Sequence, residues 1–196
     1  MKIRSFLTIA TITAIAGTNL TSVTAEMPQN RGQLLANSQL SQTQIDRLKS
    51  LETKVAVPTY VPAGFQVAGL QIQPCPSGVR RFCPNYVIIY RNSNNSCFAI
   101  ESTGGGIGDM PSDNLEKSYP VNNSILGKSA VLKYRKNPQR SGPTLTGNWS
   151  GQGPFYRFTG AGSRFFLNNV STELSNCSDI SPQEAVRVWE SLRYLP

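Results

Sequence analysis

The chain has 196 residues with 19 Lys+Arg against 11 Asp+Glu, no His, 4 Cys, 16 Gly and 13 Pro. An apolar share of 39% and a charged share of 15% exclude a coiled coil, a long helical bundle and a highly charged disordered chain. The lack of His removes every Ser-His-Asp and Cys-His mechanism and every His-ligated metal site.

Residues 1–25 have the pattern of a secretory signal peptide. Lys2 and Arg4 form a positive start, an apolar stretch runs from Phe6 to Gly17, and Val23-Thr24-Ala25 supplies small residues for cleavage before Glu26. The apolar stretch is shorter than the roughly 20 residues of a membrane span. Cleavage leaves 17 Lys+Arg against 11 Asp+Glu, a net of +6, and no later segment long and apolar enough to cross a bilayer. The expected location is secreted or periplasmic. Residues 26–38 are polar and are expected to be a flexible leader, with one α+β domain over 39–196.

The helix signals come next. Ser41 and Gln44 form a capping box, Leu40 and Ile45 are spaced for a hydrophobic staple, and a helix is expected over 42–54 with Ile45, Leu48 and Leu51 as its apolar stripe. The run Val57-Pro-Thr-Tyr-Val-Pro-Ala-Gly-Phe65 carries two prolines, so it is expected to be an extended lead-in to a strand over 66–73 and not a central strand. Tyr86-Val-Ile-Ile-Tyr-Arg91 is the clearest strand: Tyr86, Ile88 and Tyr90 share one face, Val87 and Ile89 the other. Asn92-Ser-Asn-Asn95 is turn chemistry, and the returning strand spans 96–102.

Residues 129–136 are expected to be a strand, 137–147 a loop, and 155–158 and 164–168 short strands. A last helix starts at Ser181 with Pro182 in its first turn and Glu184 completing a capping box; Ala185, Val188, Trp189 and Leu192 form its buried stripe. Helix, strands, helix gives an α+β fold: a twisted, mostly antiparallel sheet of five or six strands, with an N-terminal and a C-terminal helix packed on one face.

Four cysteines in an oxidising compartment imply two disulfides. Cys75–Cys83 is favoured because it closes a short loop, and Cys97–Cys177 because it ties a central strand to the segment before the last helix. Zinc is disfavoured, since no C-x2-C pair is present. The sequons at Asn94, Asn122, Asn148, Asn169 and Asn176 predict glycans only in a eukaryotic secretory pathway.

The run Pro58-Thr-Tyr60-Val-Pro62-Ala-Gly64-Phe65 resembles the P-x-Y-x-P-x-G-F opening of a bacterial extracytoplasmic domain family of unknown function. That family also forms the C-terminal end of some anti-sigma factors. The strand Tyr86–Tyr90, a strand like Tyr156-Arg-Phe and a closing helix with Glu190-Ser-Leu192 fit it too, so the resemblance covers about residues 55–195. It implies a standalone secreted protein like those of cyanobacteria, and no catalytic residue. The four Cys and the 137–154 segment are additions to the family pattern.

Candidate chemistry is sparse. Thr103-Gly-Gly-Gly-Ile-Gly-Asp109 lacks the Lys-Ser or Lys-Thr of a phosphate loop, and no cofactor motif is present, so the glycines are expected to make a flexible loop. Carboxylate-dependent hydrolysis would need two of Glu101, Asp109, Asp113 and Glu116 to converge, and Glu101 is expected on a solvent-facing side of its strand. Arg80, Arg81, Lys133, Arg135, Lys136, Arg140 and Arg157, with Trp149, Phe155 and Tyr156 for stacking, offer a surface for an anionic lipid or glycan or for an acidic envelope protein. No nucleic-acid reader motif occurs. The expectation is a non-catalytic, secreted binding or interaction module, with a lipid- or polyanion-binding protein and a hydrolase as the alternatives.

Overall fold

A computed structural model describes residues 36–78, 82–105, 115–135, 144–162, 174 and 176–196. The signal peptide, most of the leader and the strand expected over 164–168 lie outside these residues. In chain order the elements are α1 (Gln42–Lys49), β1 (Ala56–Pro58), β2 (Gln66–Gln73), β3 (Asn85–Arg91), β4 (Cys97–Thr103), β5 (Leu115–Pro120), β6 (Val131–Arg135), β7 (Thr144–Gly147), β8 (Phe155–Gly160), α2 (Pro182–Glu190) and β9 (Leu192–Tyr194).

The strands form a seven-stranded sheet in the order β2-β3-β4-β8-β7-β6-β5, and a separate two-stranded ribbon of β1 and β9. Every named strand pair is antiparallel. The fold is thus α+β and mostly antiparallel, but the sheet is larger than the expected five or six strands. One extra strand is β7, inside the segment expected to be a loop over 137–147. Its four residues have too little pattern to announce a strand; they are paired because β6 and β8 flank them.

The chain reaches the far edge of the sheet at β5 and steps back through β6 and β7, so β8 lies beside β4. β3 is apolar on both faces, as an interior strand must be, and its first six residues are all buried. The β3–β4 turn closes on Asn92, whose side chain accepts from Ser96 N at 2.8 Å, while Asn95 adopts φ 60°.

One face of the sheet carries the main core. Tyr86, Ile88, Tyr90, Phe98, Ile100, Tyr156 and Phe158 pack there with Ile45 and Leu48 of α1 and with Ala185, Val188 and Trp189 of α2. Phe98 stacks between Tyr90 (centroids 4.8 Å apart) and Phe158 (5.5 Å), and Trp189 meets the edge of Phe158 at 6.3 Å. The tyrosine hydroxyls anchor the N-terminal segment. Tyr86 Oη donates to Ala56 O and accepts from Ala56 N, both at 2.9 Å; Tyr156 Oη donates to Lys54 O at 2.6 Å; Tyr90 Oη donates to Ser38 O at 3.2 Å. Burial raises the pKa of all three phenols, which keeps them as donors.

Four sequence expectations change. The first helix ends at Lys49 with Ser50 as its C-cap, short of residue 54, and Glu52 follows at φ 50°. The helices serve different parts of the fold: α1 touches β2, and α2 touches β1, β5 and β6. Ser38, at the end of the segment expected to be flexible, is fully buried because Tyr90 binds its carbonyl. Leu192 is buried in β9 opposite Pro58, beyond the C-cap Ser191 of α2. The capping boxes differ as well. At α1 both halves form, with Ser41 N donating to Gln44 Oε1 at 2.8 Å and Gln44 N donating to Ser41 Oγ at 3.3 Å. At α2 Ser181 caps Glu184 N at 3.2 Å, but the Glu184 carboxylate accepts instead from Tyr60 Oη and from Arg187 Nη1. Arg187 also lies 4.1 Å from the Tyr60 ring centre, so the Pro58–Pro62 segment is fastened to α2.

Candidate functional site: the second face of the sheet

The face opposite the helices begins with a small apolar cluster of Val87, Ile89, Cys97, Ala99, Ala161 and Leu174, against which Cys177 packs. Cys97 and Cys177 are at bridging distance, with Cα atoms 5.8 Å apart, and Cys75 and Cys83 likewise at 5.1 Å. Backbone bonds reinforce the first junction: Cys97 N donates to Ser178 O and Ser178 N to Asn95 O, both at 2.9 Å. The segment before α2 is thereby fastened along the start of β4.

Beyond this cluster the face turns polar. Glu101 on β4 pairs in register with Arg157 on β8. Arg157 Nε and Nη2 donate to Glu101 Oε2 at 2.8 and 2.5 Å, and the side chains are only 6% and 1% exposed for Arg157 and Glu101. The solvent-facing reading of Glu101 is therefore incorrect. β4 lies between β3 and β8, and its second face is covered as well as its first. An isolated bridge, Ser150 to Tyr156, brings the chain after β7 back along β8, and Trp149 stacks on Arg157 with the guanidinium carbon 4.6 Å from the ring centre. The result is a fixed stack of carboxylate, guanidinium and indole.

Strand register places Lys133 opposite Thr146, and Thr146 opposite Thr159, two residues from Arg157 on the same face of β8. Arg135 follows Lys133 on this face, and both are half-buried. The structure thus gathers Lys133, Arg135, Arg157 and Trp149 on one side. It separates Tyr156, which is fully buried in the main core on the opposite face, its hydroxyl taken by Lys54 O. Arg157 is corrected in another sense, because Glu101 compensates its charge. Phe155, opposite Thr103, shares the polar face and is half-buried. Arg80, Arg81, Lys136, Arg140, Asp109 and Asp113 lie outside the described residues, as does the side chain of Glu116. Among the described residues no group of three or more Cys, Asp or Glu could hold a metal ion.

Asp179 was not legible as a special residue. Its Oδ1 accepts from Ala161 N at 2.6 Å and its Oδ2 from Leu145 N at 3.3 Å, joining the end of β8 to β7. Gly160 sits against it, where a Cβ would strike Asp179 Oδ1 and approach Leu145 O to 2.7 Å. Burial pushes the Asp179 carboxyl up to about 7, and the two N–H donors oppose that rise. The folded state therefore holds this proton more tightly than the unfolded chain, whose Asp titrates near about 3.9. Between those values the native state binds more protons, so stability falls as pH rises and then levels off. The expected loss from about pH 4 to about pH 8 is about 2 kcal/mol, less than the full shift implies because the carboxyl keeps some contact with water. Urea unfolding of the wild type and Asp179→Asn at both ends of this range checks it. The variant should lose that part of the pH dependence; an unchanged slope would contradict the assignment.

A cleft of ≈ 510 Å³ lies between the end of α1 and β9, lined by the charged side chains of Lys49, Glu52 and Lys54 together with Val55, Tyr194 and Leu195. Lys54 Nζ sits 5.5 Å from the Tyr194 ring centre. Compared with known proteins, the chain matches no protein-family model, no curated protein and no solved structure.

Proposed function

We propose that this protein is a non-catalytic binding module of the bacterial envelope, secreted or periplasmic, that takes an anionic partner on the second face of its sheet. The observation carrying the reading is the juxtaposition of Lys133 and Arg135 on β6 with the Arg157–Trp149 stack on the same face. Glu101 compensates Arg157, so the stack supplies a rigid shoulder beside the two cations of β6. Such a row suits phosphate, sulfate or carboxylate groups spaced along a glycan or a headgroup layer. The Glu101 carboxylate already accepts two hydrogen bonds from a buried guanidinium, which suits a structural role better than that of an acid or base.

The cysteine pairs at bridging distance suit an oxidising compartment. No helix among the described residues is long and apolar enough to cross a membrane. The resemblance of residues 58–65 to an extracytoplasmic domain family supports the same location.

The test is direct binding of the purified, oxidised protein to two probes: heparin, and phosphatidylcholine vesicles with and without phosphatidylglycerol. Binding to at least one anionic probe is expected, weakening as salt rises. Failure to bind either at low salt, or binding indifferent to salt, would overturn the reading.

A further inference from the structure

The two edges of the seven-stranded sheet are built differently. The β5 edge carries Lys117, ends on Pro120 and has an irregular register between Leu115 and Lys117. These are the devices by which natural sheets discourage strand addition. The β2 edge, Gln66-Val-Ala-Gly-Leu-Gln-Ile-Gln73, has no charge and no proline, and none of its eight residues is buried. Among the described residues its only strand partner is β3. It has one irregularity, between Val67 and Gly69, after which Gly69–Gln73 pairs regularly with β3. An uncharged, regular edge presents a row of backbone donors and acceptors to any strand that can approach it.

We propose that Gly69–Gln73 pairs antiparallel with the same stretch of a second copy of this chain, about a two-fold axis at Gln71. This register is self-complementary. Leu70 and Ile72 lie on the face of the main core, packed against it but half-exposed. About the axis, Leu70 of one copy stands opposite Ile72 of the other on that face, and Gly69 stands opposite Gln73 on the other face. Apolar therefore meets apolar without a gap in the alternation. Charge points to the same occupant. The chain carries a net +8, so two copies approach best where neither presents a charge, and β2 is such a stretch. The nearest cation in the register, Arg91, lies opposite Gln66, beyond the regular stretch. A charged peptide would find no counter-charge on this strand.

Sedimentation velocity of the full-length, disulfide-intact protein from low to high micromolar concentration reads the association. The wild type is expected to dimerise. Gln71→Lys sets two like charges opposite each other at the axis and should raise the dimer dissociation constant about fivefold or more. Gln71→Glu should do the same, and an equimolar mixture of the two variants should recover dimers by placing opposite charges across the axis. Ser118→Lys on the β5 edge should leave association unchanged. A wild type monomeric throughout, a dimer that survives Gln71→Lys, or a mixture that stays monomeric while each variant keeps its native circular dichroism would overturn the proposal. These outcomes do not depend on anion binding by the second face.

Discussion

Replacing Glu101 with Ala is expected to destabilise the protein by about 3–5 kcal/mol. Arg157 would be left buried at 6% exposure with its carboxylate partner gone, and an uncompensated buried charge costs far more than an intact pair returns. Removing both partners should be much milder. Glu101→Leu with Arg157→Met keeps the volume and deletes both charges, and its stability should lie within about 2 kcal/mol of the wild type. Urea unfolding with the disulfides intact measures both. Tryptophan emission gives a second readout for the double variant, in which Trp149 loses the guanidinium stacked 4.6 Å from its ring centre. A single variant that loses less than about 1 kcal/mol would show that Arg157 relaxes to water. The pair would then not fix this face of the sheet.

Phe98→Ala should cost a comparable amount, about 3–5 kcal/mol, for an apolar reason. The ring is fully buried and packs within 5.5 Å of three others: Tyr90, Phe158 and Phe65. Its loss leaves a cavity in the middle of the stack, and β3, β4 and β8 are hydrogen-bonded across the sheet and cannot collapse into it. Phe98→Leu fills most of that volume and should cost about 1–2 kcal/mol. The same unfolding measurement separates the two variants. Equal losses would mean that the site tolerates a void, and that the stack is not the centre of the core.

The parts of the fold legible in the sequence are those where local pattern and tertiary role agree. β3 alternates apolar residues on both faces, and it is interior. Ser41 with Gln44, and Ser181 with Pro182, mark helix starts that the structure retains. Other features depend on neighbours the sequence does not name. β7 is a short polar strand held between β6 and β8. Glu101 gave the pattern of an exposed residue because alternation identifies two faces without saying that both are covered. The same alternation, applied to the adjacent residues Tyr156 and Arg157, places them on opposite faces, so residue type alone groups side chains that the sheet separates. Asp179 carried no signal at all, because its role depends on two backbone N–H groups, at Ala161 and Leu145, that only the folded chain brings to it.

The most direct test of the second face as the binding surface is a comparison of two charge-matched variants. Lys133→Glu with Arg135→Glu reverses the cations of β6. Arg47→Glu with Lys49→Glu reverses one Arg and one Lys in the last turn of α1, which packs on the opposite face. Both change the net charge equally, so non-specific attraction falls equally. Dissociation constants for the anionic probe bound by the wild type, measured at one salt concentration on variants with native circular dichroism, decide the matter. The β6 variant should bind about tenfold more weakly or worse, a difference of about 1.4 kcal/mol, while the α1 variant stays close to the wild type. Equal weakening in the two would show that net charge alone draws the anion, and that the second face has no particular part in binding it.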